Sequence, residues 1–302
     1  MLQNQKFDVI IIGGSYAGLS AAMSLGRSLR KVLIIDSGLP CNKQTPHSHN
    51  FITQDGETPN NIAKKAREQV LKYDTIILLD AVAVKGVKVE NNFLITTDKN
   101  EIFEGRKIIF ATGIKDHFPS IKNFSDCWGI SVIHCPYCHG YEVAYKKTAI
   151  LANGEKAMHI ASLVNNLTKD LTILTNGEKK FTDEQLSKLI KHNIPIIEKE
   201  ITEIIHENGS IKNIIYKDNT SMSFEVMYAP VSFSQNSNIP NLLGCELDEQ
   251  GYIKTNDLQQ TTVKGIWACG DNIKSMRSVA NAVASGNLTG AMVNKELIDE
   301  EF

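Results

Sequence analysis

Short apolar runs separated by glycine turns and helical segments dominate the start of the chain. Positions 7–12 are almost continuously apolar, which is typical of a parallel strand covered on both faces. A glycine turn follows at 13–18, then a helix of small residues, then a second apolar run at 31–36 that ends in Asp36. This order predicts a strand–helix–strand unit whose glycine turn joins the first strand to the helix.

A similar pattern recurs in the middle of the chain. Apolar strands at 148–151 and 171–174 flank a turn at 152–154 and a helical segment. Two such units predict an α/β protein with two Rossmann-like dinucleotide-binding domains of the three-layer β/β/α type.

The two domains are not expected to be consecutive. Further apolar strands at 107–110 and 265–268 belong with the first unit, and a helix is expected from 278 to 296. The expected division is a discontinuous first domain, residues 1–116 and 238–302, and an inserted second domain, residues 117–237.

Composition leaves the predicted fold unchanged and serves only to exclude some classes of partner and location. The 302 residues are 42% hydrophobic and 22% charged, as in a globular protein, and the net charge is −2. A charge so close to zero offers no attraction to nucleic acid or to an anionic membrane, so neither is expected as a partner. No apolar run reaches the roughly 18 residues of a membrane span, and the first residues lack a signal-peptide pattern. A cytoplasmic location is therefore expected.

The glycine turn at 13–18 is the first candidate binding site. Glycines at a strand-to-helix turn let the backbone approach a pyrophosphate, and the helix N-terminus supplies free N–H groups and a partial positive charge. Asp36 is placed to accept hydrogen bonds from a ribose. Ser15 stands at the third position, where the usual motif has glycine, so the turn requires a negative φ there. A glycine turn with no ligand remains the alternative at this point.

Two further segments stand at strand ends, where ligands of open α/β sheets bind. They are residues 111–113, and Gly270 with Asp271. An acid after Gly270 can hold the ribityl or pyrophosphate part of a flavin nucleotide. These segments favour a dinucleotide ligand, but spacing alone does not distinguish FAD from NAD.

The stretch from His134 to His139 contains a closely spaced cysteine pair, Cys135 and Cys138. Two intervening residues let both sulfurs meet on one helical turn, and a helix N-terminus favours the reactive thiolate. A flanking histidine can carry a proton during thiol exchange, because its ordinary pKa is near neutrality. The alternative is half of a zinc site. No second Cys-x-x-Cys or His-x-x-x-His supplies the other ligands, so no metal is expected.

Together these motifs resemble those of flavoprotein disulfide reductases with two dinucleotide-binding domains, most closely the low-molecular-weight thioredoxin reductases, over nearly the whole chain. The resemblance implies FAD bound to the discontinuous domain, a redox-active pair and a homodimer. It also implies that Cys138 faces the flavin and Cys135 the substrate. His139 stands where these reductases usually have an aspartate as proton donor, so it is the main acid/base candidate and His134 the second. The residues expected to bind FAD are Gly13, Gly14, Ser15, Tyr16, Ala17, Gly18, Asp36, Asn42, His49, Ala111, Thr112, Gly113, Gly270, Asp271, Val279 and Ala280.

The Cys-x-x-Cys-His motif and the loop from 42 to 56 indicate a narrower group. Both are similar to the corresponding segments of flavin-dependent dithiol oxidases. Those enzymes form disulfides in natural products such as gliotoxin and holomycin and pass the electrons to oxygen. The loop resemblance also implies that His49 lies near the flavin.

The second glycine turn lacks the features of a nicotinamide site. Ala152 replaces the first glycine and puts a methyl group at the tightest point of the turn. Residues 175–177 replace the His-Arg-Arg of the reductases, so no guanidinium remains there to pair with a 2′-phosphate. Residues 233–234 replace their later Ile-Gly. The pattern favours a domain that no longer takes electrons from nicotinamide, although Lys179 and Lys180 leave open an NADPH site of unusual design.

Three functions are consistent with these residues. The first is oxidation of a dithiol to a disulfide, with oxygen or another acceptor receiving the electrons. The second is reduction of thioredoxin or a small disulfide, with NADPH or a protein such as ferredoxin as donor. The third is a non-enzymatic flavin redox sensor, against which the Cys-x-x-Cys with adjacent histidines argues. The expected partner is thus a dithiol or disulfide substrate, either a small molecule or a thioredoxin-like protein.

Overall fold

The computed structural model describes residues 5–302, so the first four positions of the expected first domain lie outside the described residues. The chain forms two compact units. Unit 1 comprises the residues up to 43, 51–115 and 233–302, and unit 2 comprises 44–50 and 116–232.

The secondary structure is as follows. The strands are β1 Lys6–Ile12, β2 Val32–Asp36, β3 Ile76–Asp80, β4 Ala83–Val89, β5 Asn92–Thr97, β6 Ile102–Phe110, β7 Ile114–His117, β8 Val132–Ile133, β9 Thr148–Leu151, β10 Leu171–Leu174, β11 Ile196–Ile197, β12 Ile201–Glu207, β13 Ser210–Tyr216, β14 Ser221–Ser223, β15 Val226–Tyr228, β16 Ser232–Gln235 and β17 Ile266–Ala268. The helices are α1 Tyr16–Arg27, α2 Pro59–Val70, α3 Phe124–Cys127, α4 Pro136–His139, α5 Gly154–Val164, α6 Asp183–Lys191, α7 Ile239–Leu242 and α8 Val279–Glu301.

The main sheet of unit 1 has the strand order β3-β2-β1-β6-β5-β4, with β17 also paired to β6. Strand β1 is parallel to both β2 and β6, and β5 is antiparallel to β4 and β6. Side chains of β1 alternate between two cores. Val9 and Ile11 pack with α1 and α8, whereas Ile10 and Ile12 pack against the other face. The continuous apolar run at 7–12 is therefore buried on both sides, as its composition predicted.

Helices α1 and α8 approach each other closely because glycines remove the side chains between them. A Cβ at Gly286 would lie 2.1 Å from the carbonyl oxygen of Ala17. Helix α8 continues five residues beyond the expected end at 296, to Glu301. Leu297 is buried in the core and Lys107 Nζ lies 2.8 Å from Glu296 Oε1. These contacts hold the last turns of the helix, and they depend on tertiary packing that the sequence pattern does not show.

Unit 2 contains a five-stranded parallel sheet in the order β11-β10-β9-β15-β8 and a three-stranded antiparallel sheet, β12-β13-β14. Helix α5 covers the parallel sheet through Ala157, Ile160 and Val164. The segment 44–50, which the sequence placed with the first domain, packs within unit 2, where Gly129 lies against Gln44 and Thr45. The predicted α/β class, with parallel sheets and Rossmann-like units, is confirmed.

Candidate functional site

The glycines in the turn of unit 1 have no room for a side chain at their positions. Gly13 has a φ of +108°, and a Cβ there would lie 2.2 Å from the carbonyl oxygen of Ala111. A Cβ at Gly18 would lie 1.8 Å from the carbonyl oxygen of Gly13. Ser15 has a φ of −89°, so the turn accepts serine at this position, as the sequence required. The backbone of this turn thus packs directly on the end of β6, and the first turn of α1 follows at once.

Asp36 closes the opposite side of this turn. Its Oδ1 accepts a hydrogen bond of 3.0 Å from the backbone N–H of Gly14, and its Oδ2 pairs with the guanidinium of Arg67. The carboxylate is largely buried. A carboxylate has about four acceptor positions, so these two partners leave capacity for a ribose hydroxyl. Sequence reasoning missed Arg67, because its contact with Asp36 depends on how α2 packs.

The ends of β6 and β17 bring the remaining predicted cofactor residues of unit 1 toward the same turn. A Cβ at Gly270 would lie 3.0 Å from the Cβ of Ala17. Asn272, which the sequence analysis did not single out, is fully buried, and its Nδ2 donates to the carbonyl of Phe110 at 2.9 Å. Its Oδ1 has no hydrogen-bond partner among residues 5–302. A buried acceptor left in this state indicates a site for a donor group that the protein itself does not supply.

Other predicted cofactor residues border this region. Asn42 Nδ2 donates to the hydroxyl of Tyr16 at 3.4 Å, and Val279 and Ala280 begin α8. Asp271 Oδ2 lies 3.8 Å from Nε of Arg277. The predicted cofactor residues all lie in unit 1, with the exception of His49, which lies in unit 2.

The cysteine pair of unit 2 stands at the start of a single helical turn. Cys135 is the N-cap of α4, and Pro136 follows at the first helical position. Cys135 and Cys138 form a disulfide with a Cα–Cα distance of 5.3 Å. Both residues are partly exposed. The geometry therefore gives a reagent in solution access to a disulfide held on a short, defined turn.

His139 lies directly after the second cysteine, in a cluster of titratable groups. Its ring centroid is 6.4 Å from that of His49, and His49 Nδ1 is 3.3 Å from Glu142 Oε1. Burial lowers the pKa of His139, the charge of His49 lowers it further, and Glu142 acts in the opposite direction. His139 is therefore neutral near pH 7 and can accept a proton. Sequence reasoning missed Glu142, although it follows His139 by three positions.

His134, on the other side of the pair, has aromatic surroundings. Its ring stacks on Trp128 with centroids 5.8 Å apart and an interplanar angle of 20°. Trp128 in turn packs with Phe118 and Phe124. This stack orients the ring of His134, the residue that precedes Cys135, and the proton transfer expected of His134 stays a prediction.

Three of the other cysteines are buried in apolar surroundings. Burial raises the pKa of the Cys127 thiol to about 11 and that of Cys269 to about 12, and it also raises the pKa of Cys245. A thiol with so high a pKa is a poor nucleophile at neutral pH. Within the described part of the chain, no group of three or more histidine, cysteine or acidic side chains is arranged to hold a metal ion.

The second glycine turn, at the start of α5, is occupied by the chain itself. Asn153 Oδ1 accepts from the backbone N–H of Gly154 at 2.9 Å and from that of Lys180 at 2.8 Å. Its Nδ2 donates to the carbonyl of Glu178 at 2.8 Å. A Cβ at Gly154 would lie 2.9 Å from the carbonyl oxygen of Lys180. Lys179 is paired with Glu198 at 2.8 Å, so its charge is already matched.

Comparison with known proteins places the chain among flavoprotein disulfide oxidoreductases. Residues 7–286 match the pyridine nucleotide-disulphide oxidoreductase family. Thioredoxin reductase tcpT of Claviceps purpurea is 30% identical over 302 residues, covering 96% of this chain and 94% of the relative. A putative thioredoxin reductase TrxB from Bacillus anthracis superposes with a TM-score of 0.93 at 29% identity, covering 98% of this chain and 100% of that one. HlmI superposes with a TM-score of 0.93 at 25% identity, covering 100% of this chain and 95% of HlmI. The family resemblance inferred from the motifs is confirmed.

Among residues 5–302, no helix combines the length and the apolar character that crossing a membrane demands.

Proposed function

The chain belongs to the pyridine nucleotide-disulphide oxidoreductase family, and from this premise we propose that it oxidises a dithiol substrate to a disulfide through Cys135 and Cys138. It is an FAD-dependent oxidoreductase that acts on sulfur groups. In the proposed reaction, oxygen or another oxidant finally receives the two electrons. We expect a homodimer, on the family resemblance alone.

The residues of unit 1 fit an FAD molecule. The glycines of the turn at 13–18 have no space for a Cβ and leave its backbone bare, which lets a pyrophosphate approach the backbone N–H groups. Asp36 would hold the ribose, and the buried Oδ1 of Asn272 offers an acceptor without a partner among the described residues. When bound, FAD supplies the two-electron acceptor that returns the reduced cysteine pair to the disulfide.

The cysteine pair carries out the exchange with substrate. One substrate thiol loses its proton to His139, and the resulting thiolate attacks Sγ of Cys135. The Cys135–Cys138 bond breaks, and Cys138 leaves as a thiolate. The second thiol of the substrate then attacks the substrate sulfur that is bonded to Cys135 in this mixed disulfide. Cys135 is released and takes up the proton of the second thiol. The substrate has lost two electrons and two protons, which are held by the cysteine pair and His139.

His139 suits this role because its lowered pKa keeps it unprotonated at neutral pH. Glu142 stabilises the protonated state that forms when the substrate thiol ionises. His49 contacts both of these residues, since its ring faces His139 and its Nδ1 contacts Glu142.

The choice of an oxidase rests on the second glycine turn, where the chain itself fills the expected nicotinamide site. Asn153 uses its oxygen and its nitrogen to bind the 178–180 segment over the start of α5. A dinucleotide would have to displace this segment, and no arginine stands in 175–177 to recover the cost through a 2′-phosphate. A redox disulfide beside a nicotinamide site that the chain itself fills supports a thiol substrate as the source of the electrons.

A disulfide reductase is the second candidate, and the name of the relative tcpT, a thioredoxin reductase, favours it. In that case electrons would run from NADPH or a protein donor toward the cysteines. The two candidates differ in which reagent reduces the flavin.

Anaerobic reduction of the purified yellow protein distinguishes the oxidase from a nicotinamide-dependent reductase. NADPH, NADH and dithiothreitol are added in separate cuvettes, and flavin absorbance is followed. We expect bleaching by dithiothreitol, no bleaching by either nicotinamide, and recovery when an oxidant such as air is admitted. Rapid bleaching by NADPH would show that the second turn still binds nicotinamide. The proposed function would then be that of a disulfide reductase and not that of a dithiol oxidase.

A further inference from the structure

Arg67 lies on helix α2, outside the glycine turn and the strand ends that form the expected FAD site. Its guanidinium pairs with Oδ2 of Asp36, the acid expected to hold a ribose of the cofactor. Its side chain is 34% exposed, so most of the side chain is buried within unit 1. The contact therefore sets a positive charge beside a residue of the cofactor site, although no motif in the sequence marks Arg67.

Helix α2, which carries Arg67, is anchored at both of its ends. At the N-terminus Thr58 caps the first turn, and the hydroxyl of Tyr16 donates a hydrogen bond of 3.2 Å to the carbonyl of Pro59. Near the C-terminus Val70 is buried in the same hydrophobic core as helix α1. Arg67 thus reaches Asp36 from a helix that is fixed to the core of unit 1, which gives its guanidinium a defined position.

Asp36 needs a positive partner because of its surroundings. A Cβ at Gly14 would lie 2.8 Å from the Cβ of Asp36, so the acid lies directly against the glycine turn. Its side chain is only 11% exposed, and Asp80 is the residue paired with it on the neighbouring strand. The pyrophosphate of FAD would bring further negative charge to the same turn. An unpaired carboxylate at this place would be unfavourable to bury and would repel the cofactor.

Each oxygen of the Asp36 carboxylate has its own partner. The backbone N–H of Gly14 donates to Oδ1 at 3.0 Å, and Arg67 holds Oδ2. A carboxylate held at both oxygens does not rotate freely, so its remaining acceptor positions have fixed directions before any cofactor arrives. A group that is ordered in advance loses less conformational entropy when the ligand binds, and the ligand is therefore held more tightly.

We propose that Arg67 is a positioning residue of the FAD site and that it acts through Asp36. It fixes the orientation of the Asp36 carboxylate and balances its charge, and in this way it determines how tightly FAD is held. This role requires no contact between Arg67 and FAD. The inference goes beyond the proposed function, because it applies equally to an oxidase and to a reductase that binds FAD in unit 1.

The test measures the Kd for FAD of the full-length FAD-loaded protein, without any thiol or nicotinamide. The protein is diluted in steps, and the fluorescence of released FAD gives the free fraction. Arg67→Met removes the charge, and we expect it to raise the Kd at least about tenfold, as for a charge pair that loses one partner. Arg67→Lys keeps the charge and should bring the Kd to within about threefold of wild type. Lys64→Met, which removes an exposed charge from the same helix, is the matched control and should change the Kd by less than about twofold.

A double-mutant cycle with Asp36→Asn shows whether Arg67 acts through Asp36. In the asparagine background there is no carboxylate for Arg67 to orient or to neutralise. Adding Arg67→Met to this background should therefore change the Kd by less than about twofold. The comparison remains valid if Arg67→Met alone fails to fold, because the double variant leaves no unpaired carboxylate at position 36.

Two results would overturn the positioning role. An equal loss of affinity from Arg67→Met in both backgrounds would show that Arg67 acts on the cofactor directly or only supports helix α2. An Arg67→Lys variant as weak as Arg67→Met would show that the charge at this position is not what holds Asp36. Neither result bears on the oxidase, because thiol oxidation plays no part in the measurement.

Discussion

Replacement of His139 by glutamine tests the acid/base step most directly. A general acid or base contributes about 10²–10⁴-fold to a rate. His139 is only partly buried, so water can replace it in part, and we expect the lower end of this range. The rate of flavin reduction by dithiothreitol at pH 7 should fall about 10²-fold, which corresponds to about 2.7 kcal/mol of transition-state stabilisation.

The pH dependence gives the second signature of this residue. Burial and the charge of His49 lower the pKa of His139 below its ordinary value of 6.5. The unprotonated form is the active one, so the wild-type rate stays constant as pH falls toward 6.5 and declines only below it. The glutamine variant lacks this base and reacts only with thiolate that is already present in solution. Its rate should therefore rise steadily with pH across the window and show no plateau.

Stopped-flow measurement of flavin bleaching between pH 5 and 8 provides the assay. His159→Gln is the matched control, because this histidine is exposed on α5 in the same unit. The control should retain both the rate and the acid limb. A His139→Gln variant that reacts within about twofold of wild type, with the acid limb unchanged, would remove His139 from the mechanism.

Three further perturbations follow from the site. Cys138→Ser should abolish turnover while FAD stays bound, measured as flavin absorbance per chain; normal cycling by this variant would refute the disulfide mechanism. Glu142→Gln removes the influence that raises the pKa of His139, so the acid limb should move to lower pH, and a shift to higher pH would contradict the assignment. Gly18→Ala forces a Cβ to within 1.8 Å of the carbonyl oxygen of Gly13. It should destabilise the protein by about 1–3 kcal/mol or more and reduce bound FAD, as measured by thermal unfolding and flavin content.

Much of the site was predictable because its chemistry is local in sequence. The glycine turn at 13–18 and the pair Cys135/Cys138 depend on residues a few positions apart, and strands β9 and β10 begin and end where the apolar pattern placed them. The negative φ of Ser15 also followed from the turn geometry alone. Local spacing decides such features because neighbouring residues meet in any fold that contains the turn.

The missed residues are those whose partners come from elsewhere in the chain. Arg67 reaches Asp36 only after α2 has packed, and Asn272 meets the carbonyl of Phe110 across the ends of two strands. No motif marks either residue. Their roles depend on which helices and strands become neighbours, and packing of the whole hydrophobic core determines that arrangement.

The sequence by itself determined the α/β class, the family, the redox pair and the loss of the nicotinamide motif. Tertiary structure decided how these parts behave. It brought His49 to the ring of His139, although the two are far apart in sequence, and it bound the 178–180 segment to Asn153 over the second turn. The physical reason is that pKa and site access depend on desolvation and on charges at short range. The pKa of a group and access to the site therefore depend on which residues pack together in three dimensions. The order of residues along the chain does not specify that packing directly.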